Sequence, residues 1–258
     1  MQCNNFSHSI DNSKIPTVNI MGVNIAAINM DWLLDFTHKN IHKLNGDYLC
    51  ASNVHTTVMA FENDDYCKVQ NNAILAIPDG GPLCSIGKKR GFPDMSRTDG
   101  PGYMDNILKV SDKYAYRHFF YGSTPETLQR LLNNIEKKYP TINIVGQYSP
   151  PFRELSDEED IHITKLINDS HPDFVWIGLG APKQEFWMYQ HQGKIEGFMV
   201  GVGAAFDFFA NNKKRAPQWM QKHNLEWFYR LIQEPKRLFK RYFYTNIKFI
   251  WHAVILGK

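Results

Sequence analysis

No run in this chain approaches the roughly 20 consecutive apolar residues that a membrane-spanning helix requires, so none is expected within its 258 residues. The opening MQCNNFSHSIDNSK lacks the apolar segment of a signal peptide. Cysteine is scarce. Cys3, Cys50, Cys67 and Cys84 form neither a CxxC pair nor zinc-finger spacing, which favours a reduced, cytosolic chain over a disulfide framework or metal ribbon. The ten histidines include no HxH or HExxH, so neither a metal site nor a cofactor is expected. A Walker A loop, a GxSxG elbow, internal repeats and low-complexity tracts are also missing. What remains is 43% hydrophobic and 21% charged, with aromatics at 14% on the high side. That composition suits a soluble or peripheral protein holding one large α/β domain, with or without an appendage.

The overall charge of +3 conceals an asymmetry. Residues 209–258 carry 11 Lys/Arg against 2 Glu, whereas residues 1–208 carry 18 basic against 24 acidic residues. A basic tail on an acidic body points to an anionic partner: nucleic acid, a membrane surface or phosphate. The tail reads as two or three helices broken near Pro217 and Pro235, with Trp219, Leu225, Trp227, Phe228, Leu231 and Ile232 interleaved with Lys and Arg. Such a pattern fits a helix lying in a bilayer interface. A helical cap with solvated charges fits it equally.

Within residues 1–208, strand candidates are Val18–Ile25, Tyr48–Ser52, Ala73–Ile77, His118–Tyr121, Ile142–Gln147, Phe174–Gly178 and Gly197–Val202. Helical patterns span Met30–Lys43, His55–Gln70, Tyr103–Lys113, Pro125–Lys138 and Asp157–Ser170, the last started by an N-cap Ser156 with acidic residues behind it. The alternation predicts a Rossmann-like, mostly parallel sheet with helices on both faces, followed by a C-terminal helical appendage. Residues 1–16 are expected to be disordered. Ligands of such sheets bind beyond the C-terminal strand ends. Six polar or glycine-rich junctions should therefore open on one edge: 52–55, 78–81, 121–124, 147–151, 178–185 and 201–207.

Taken singly, the candidate motifs are ambiguous. GLGAPK at 178–183 has Lys183 where a dinucleotide fingerprint needs its third glycine, and GVGAAF at 201–206 fails likewise at Phe206. Backbone amides at such a junction can still hold a diphosphate; a tight turn without a ligand is the alternative. Asp79, in PDGGP, can act as a base or ribose anchor, or simply shape an Asp-Gly turn. Arg97, in SRTDGPGY, can pair with phosphate or carboxylate, or sit on the surface. Glu62-Asn63-Asp64-Asp65 superficially offers the DxD metal site of many sugar transferases, but near a predicted helix end it reads as a solvated face.

The order of these blocks is more specific than any one of them. Asn53-Val54-His55, Pro78-Asp79-Gly80, Arg97 with Gly100-Pro101, Tyr121-Gly122 and Tyr148-Ser149-Pro150-Pro151-Phe152 come first. GLGAPKQE at 178–185, GVGAAFD at 201–207, Arg215-Ala216-Pro217, LEWFYR at 225–230 and Glu234-Pro235-Lys236-Arg237 follow. The series closely resembles the WecG/TagA/CpsF glycosyltransferases, glycosyltransferase family 26, over about residues 18–245.

That resemblance implies an inverting, metal-independent enzyme with a UDP-sugar donor and a polyprenyl diphosphate-linked sugar as acceptor. It further implies work on bacterial cell-surface polysaccharides at the inner face of the plasma membrane, in the cytoplasm, without nucleic acid; a homo-oligomer is left open. The family's catalytic base falls on Asp79. Its other polar site residues fall on Asn53, Arg97 and Gln184, and the arginines of its membrane-targeting appendage on Arg230 and Arg237, with Lys240 or Arg241 in the third place. N-acetylmannosamine, its uronic acid and glucose are all donors among relatives, and the His55-Thr56-Thr57 run and Gly100-Pro101-Gly102 lean toward exopolysaccharide or antigen synthesis. Two departures stand out: Ala51 replaces a threonine found in some members, and Gly102 replaces an aspartate found in many. Two other functions remain to be weighed, an inactive nucleotide- or lipid-binding regulatory module and an NAD-dependent oxidoreductase.

Overall fold

Two short strands, Thr17–Ile20 (β1) and Val23–Ala26 (β2), pair antiparallel where the sequence predicted the single strand Val18–Ile25. Met21 and Gly22 adopt φ of 50° and 91°, the left-handed pair that a two-residue hairpin turn needs. The computed structural model describes residues 6–258. Of the segment expected to be disordered, residues 1–5, with Cys3, lie outside that range. Further along it, His8 Nδ1 lies 2.7 Å from Asp47 Oδ1.

The remaining strands are Tyr48–Ser52 (β3), Leu75–Pro78 (β4), Arg117–Gly122 (β5), Asn143–Tyr148 (β6), Phe174–Gly178 (β7) and Phe198–Gly201 (β8). They form one parallel sheet in the order β4-β3-β8-β7-β5-β6. Buried runs such as Phe174–Ile177 and Phe198–Val200 show why: strands covered on both faces need no polar alternation. The order changes direction between β3, which leads out to the edge strand β4, and its other neighbour β8. Such a reversal opens a crevice at the strand ends.

Helices cover both faces. Met30–Asn40 (α1) precedes β3, and the helix expected over His55–Gln70 is two, Val54–Glu62 (α2) and Asp64–Asn71 (α3). Asn63 divides them: its extended backbone ends the first, and its Oδ1 accepts from Tyr66 N (2.9 Å) to cap the second. Gly81–Lys89 (α4) lies where no helix was predicted. Gly100–Tyr114 (α5), Pro125–Lys138 (α6) and Asp157–Asp169 (α7) follow. The predicted start of α7 is a full capping box between Ser156 and Glu159. On α6, Leu128, Leu131, Leu132 and Ile135 are buried at helical spacing, each contributing on the order of 1.5–3 kcal/mol.

Lys183–Gln190 (α8) and Ala205–Phe209 (α9) lead into the appendage, made of Gln218–Lys222 (α10), Glu226–Gln233 (α11) and Pro235–Phe249 (α12), the last continued by a π turn over Ile250–Ile255. α12 packs along α2. No described helix is long and apolar enough to cross a membrane.

Candidate active site

Residues beyond the C-terminal ends of β3, β4, β7 and β8, together with α11 and α12, enclose a cavity of about 640 Å³. Five of the six predicted junctions contribute to it. The sixth, at 147–151, follows β6, the far edge of the sheet, and does not reach.

Asn53 follows β3 and caps α2, its Oδ1 accepting from His55 N (3.0 Å) and Thr56 N (3.3 Å). That leaves its amide nitrogen without a protein partner among the described residues, at the cavity wall. Asp79 directly follows β4. Its N–H donates to Ser52 O (2.8 Å), pinning the turn that presents its carboxylate to the cavity. Burial pushes this carboxyl up to about 7 against the pull of Arg97, and the negative charges of Asp99 and Glu226 add to the rise.

Arg97 is the hub. Its Nε donates to Asp79 O (3.1 Å), and its Nη2 lies 2.7 Å from Glu226 Oε2, 3.5 Å from Asp79 Oδ1 and 4.0 Å from Asp99 Oδ2. A second guanidinium, Arg215, bonds Asp99 and lies 3.6 Å from Glu226 Oε1. These acids hold Arg97 firmly protonated despite its burial.

The GLGAPKQE segment answers the question of its glycines. Gly180 takes φ of 78°, Ala181-Pro182 is cis, and Gly180 N–H donates to Gln184 Oε1 (3.2 Å). Gln184 Nε2 donates to Glu185 Oε1 (2.7 Å). Gln184 lines the cavity but is only 4% exposed, so its amide is spent holding the turn. A bare Gly178 is required, since a Cβ there would stand 2.4 Å from the Phe206 ring.

From the appendage, Arg230, Arg237 and Arg241 all line the cavity. Arg230 and Arg237 are not on one continuous helix, because the chain breaks at Glu234 and restarts at Pro235. Arg237 and Arg241 are instead one turn apart on α12. Arg237 bonds Glu234; Arg230 has no side-chain partner among the described residues, and Arg241 Nε is buried without one. Burial foremost, then Arg237 and Arg230, lowers the Arg241 value. His55, held neutral near 4 by burial and by Arg241, adds no competing charge. Three guanidiniums lining one cavity favour an anion as its ligand.

The profile of the Glycosyl transferase WecG/TagA/CpsF family matches residues 18–257. The chain belongs to that family. It is similar to the N-acetylglucosaminyldiphosphoundecaprenol N-acetyl-beta-D-mannosaminyltransferase of Bacillus subtilis (strain 168), 30% identical over 211 residues, 81% of this chain and 80% of the relative. The Bacillus spizizenii protein of the same name is 31% identical over 196 residues, 74% of this chain and 73% of the relative. A Staphylococcus aureus (strain MW2) protein, again of that name, is 27% identical over 234 residues, 88% of this chain and 89% of the relative.

As a glycosyltransferase of the WecG/TagA/CpsF family, the chain brings Asn53, Asp79, Arg97, Gln184, Arg230, Arg237 and Arg241 to one cavity, with Arg241 and not Lys240 in the third appendage place. Sequence reasoning assigned no role to Asp99, Arg215 or Glu226. Arg215 and Glu226 stood inside quoted motifs, which was the available signal. Of the two departures, Ala51 lines the cavity with a methyl group. At Gly102, Asp99 caps α5 through the residue's N–H (2.8 Å), and a Cβ would meet the Asp99 carboxylate at 3.0 Å.

Proposed function

We propose that this glycosyltransferase moves N-acetylmannosamine from UDP to a sugar on a polyprenyl diphosphate, with inversion and without a metal, at the inner face of the bacterial plasma membrane. The carrying observation is that Asp79, whose carboxyl is raised by burial, lines the same cavity as Arg230, Arg237 and Arg241. Inverting transfer is one displacement. The acceptor hydroxyl attacks the anomeric carbon, Asp79 accepts its proton, and the electron pair of the breaking C–O bond leaves on the diphosphate. Charge builds on that diphosphate, where Arg230, Arg237 and Arg241 can neutralise it. Asn53 offers its amide nitrogen to the sugar or diphosphate, and Gln184 acts by fixing the Gly180 turn. The relatives' names favour N-acetylmannosamine over its uronic acid or glucose as donor, and a diphosphoundecaprenol-linked N-acetylglucosamine as acceptor.

The test is UDP release and product formation with a short-chain lipid diphosphate–N-acetylglucosamine acceptor and a panel of UDP-sugars. Asp79→Asn should lower turnover by about 10²–10⁴-fold with UDP binding retained, and EDTA should leave the parent's rate unchanged. Substantial turnover in Asp79→Asn removes the base, while EDTA loss restored by manganese removes the metal-free reading.

A further inference from the structure

We propose that Glu226, carried on the C-terminal appendage, is a positioning residue that holds the Arg97 guanidinium away from Asp79 and so preserves the base. The inference rests on the reading of Asp79 as proton acceptor. Arg97 is anchored through Nε to the Asp79 carbonyl, so its Nη2 end swings about a fixed point. At 2.7 Å from Glu226 it makes a strong charge-assisted bond; at 3.5 Å from Asp79 it makes at most a weak one. One guanidinium thus stands between two carboxylates and is committed to the one from the appendage. Glu226 is 7% exposed and its other oxygen faces Arg215 at 3.6 Å, so it cannot trade this partner for water.

The charged and titratable groups around Asp79 come from three directions. Arg97 and Asp99 belong to the segment entering α5, Glu226 and Arg230 to α11, and Cys84 to α4. Of these, Arg97 and Arg230 favour its ionised form, while Asp99 and Glu226 disfavour it. Losing Glu226 acts twice in one direction: a like charge disappears, and Arg97 is released to close on Asp79. The carboxylate then persists to lower pH but is a poorer base. An appendage that is not seated would likewise release Arg97, because Glu226 is the one described appendage residue that bonds it. The appendage therefore supplies an acid that keeps the site competent, besides arginines for the anion.

Arg215 gives a control of opposite sign. Its loss frees both Asp99 and Glu226 to draw on Arg97, pulling it further from Asp79.

The experiment compares Glu226→Gln, Glu226→Asp and Arg215→Gln with the parent across pH. In Glu226→Gln, the acidic limb of kcat/KM should move down by about one pH unit and the plateau should fall several-fold, with KM for the UDP-sugar unchanged. Glu226→Asp should restore part of both. In Arg215→Gln the limb should move up. Carbon-13 titration of the Asp79 carboxyl, assigned with Asp79→Asn, reads the same shifts without substrate, and either variant alone tests the sign. An unmoved titration, or shifts in one direction for Glu226→Gln and Arg215→Gln, overturns the assignment. A chain that transfers no sugar yet shows opposed shifts instead sinks the transferase reading and leaves Glu226 in place.

Discussion

Glu185 is a carboxyl with nowhere to put a charge. It is fully buried, one oxygen accepts from Gln184, the other has no partner within hydrogen-bond geometry among the described residues, and burial pushes it up to about 7 against the pull of Gln184 and the nearby Tyr66 hydroxyl. A carboxyl whose folded value lies above its unfolded one binds extra protons in the folded state. Its stabilisation is therefore complete below about pH 4.5 and is lost as pH rises through 7. Glu185→Gln should raise stability by about 2–3 kcal/mol at pH 8 and leave it unchanged below pH 4.5, as denaturant titrations at the two pH values would read. Asp79 shares the raised value for a different purpose, since its carboxylate faces the cavity. Transfer should rise as pH passes upward through about 7, where Asp79 gives up its proton.

The placement of Asp79 and Asn53 at the cavity was legible because each sits in the polar junction after a strand, and parallel sheets put such junctions on one edge. Glu226 was not legible as a site residue. Its importance comes from burial opposite Arg97, 129 positions away, and no local pattern records that pairing. The place of Gln184 at the cavity was legible, while its committed amide was not.

Among the elements, the misread ones share a cause. α4 begins with Gly81-Pro82 and contains Gly87, residues that read as breakers. Pro82 is at home in the first turn, and Gly87 is there because a Cβ would stand 2.1 Å from Met95 Sδ. The hairpin at Met21-Gly22 and the division at Asn63 were hidden inside longer periodic runs. α12, by contrast, is fastened by few polar contacts among the described residues: Glu62, weighed above as part of a metal motif, bonds Lys248 and Tyr244, and only beyond its end does Arg90 bond the carbonyls of Gly257 and Lys258. Glu62→Ala should loosen α12 from α2. Amide exchange across 235–255 should then speed up severalfold while the strands stay unchanged; equal exchange would mean that apolar packing alone seats the helix.

The whole molecule is two-faced. Phe239, Phe243, Ile247, Ile250, Trp251, Val254 and Ile255 are each at least half exposed along α12 and its continuation, beside Lys236, Lys240 and Lys248. An apolar face of that size with basic neighbours suits insertion into an anionic interface. Full-length chain should bind vesicles containing anionic lipid and lose most of that binding in 1 M salt or with Phe243 and Trp251 both changed to Ser. Binding untouched by the double change would place the contact elsewhere. The basic, aromatic tail was readable from composition, but the choice between cap and membrane face was not. In the structure the same helices turn one side over the cavity and leave the other, apolar and basic, to solvent.

β8 sets the order in which this protein can come together. It lies between β3 and β7, yet it is the last strand made. Before it arrives, β3 and β4 can pair with each other and β5, β6 and β7 among themselves, but nothing joins the two groups. Asp79, the proposed base, belongs to the first group and the Gly178–Glu185 turn to the second. Closure of a loop of about 150 residues must precede their meeting, a slow, non-local step. A half-assembled chain therefore carries no weak version of the site, and catalytic competence appears only when Phe198–Gly201 zips the halves together.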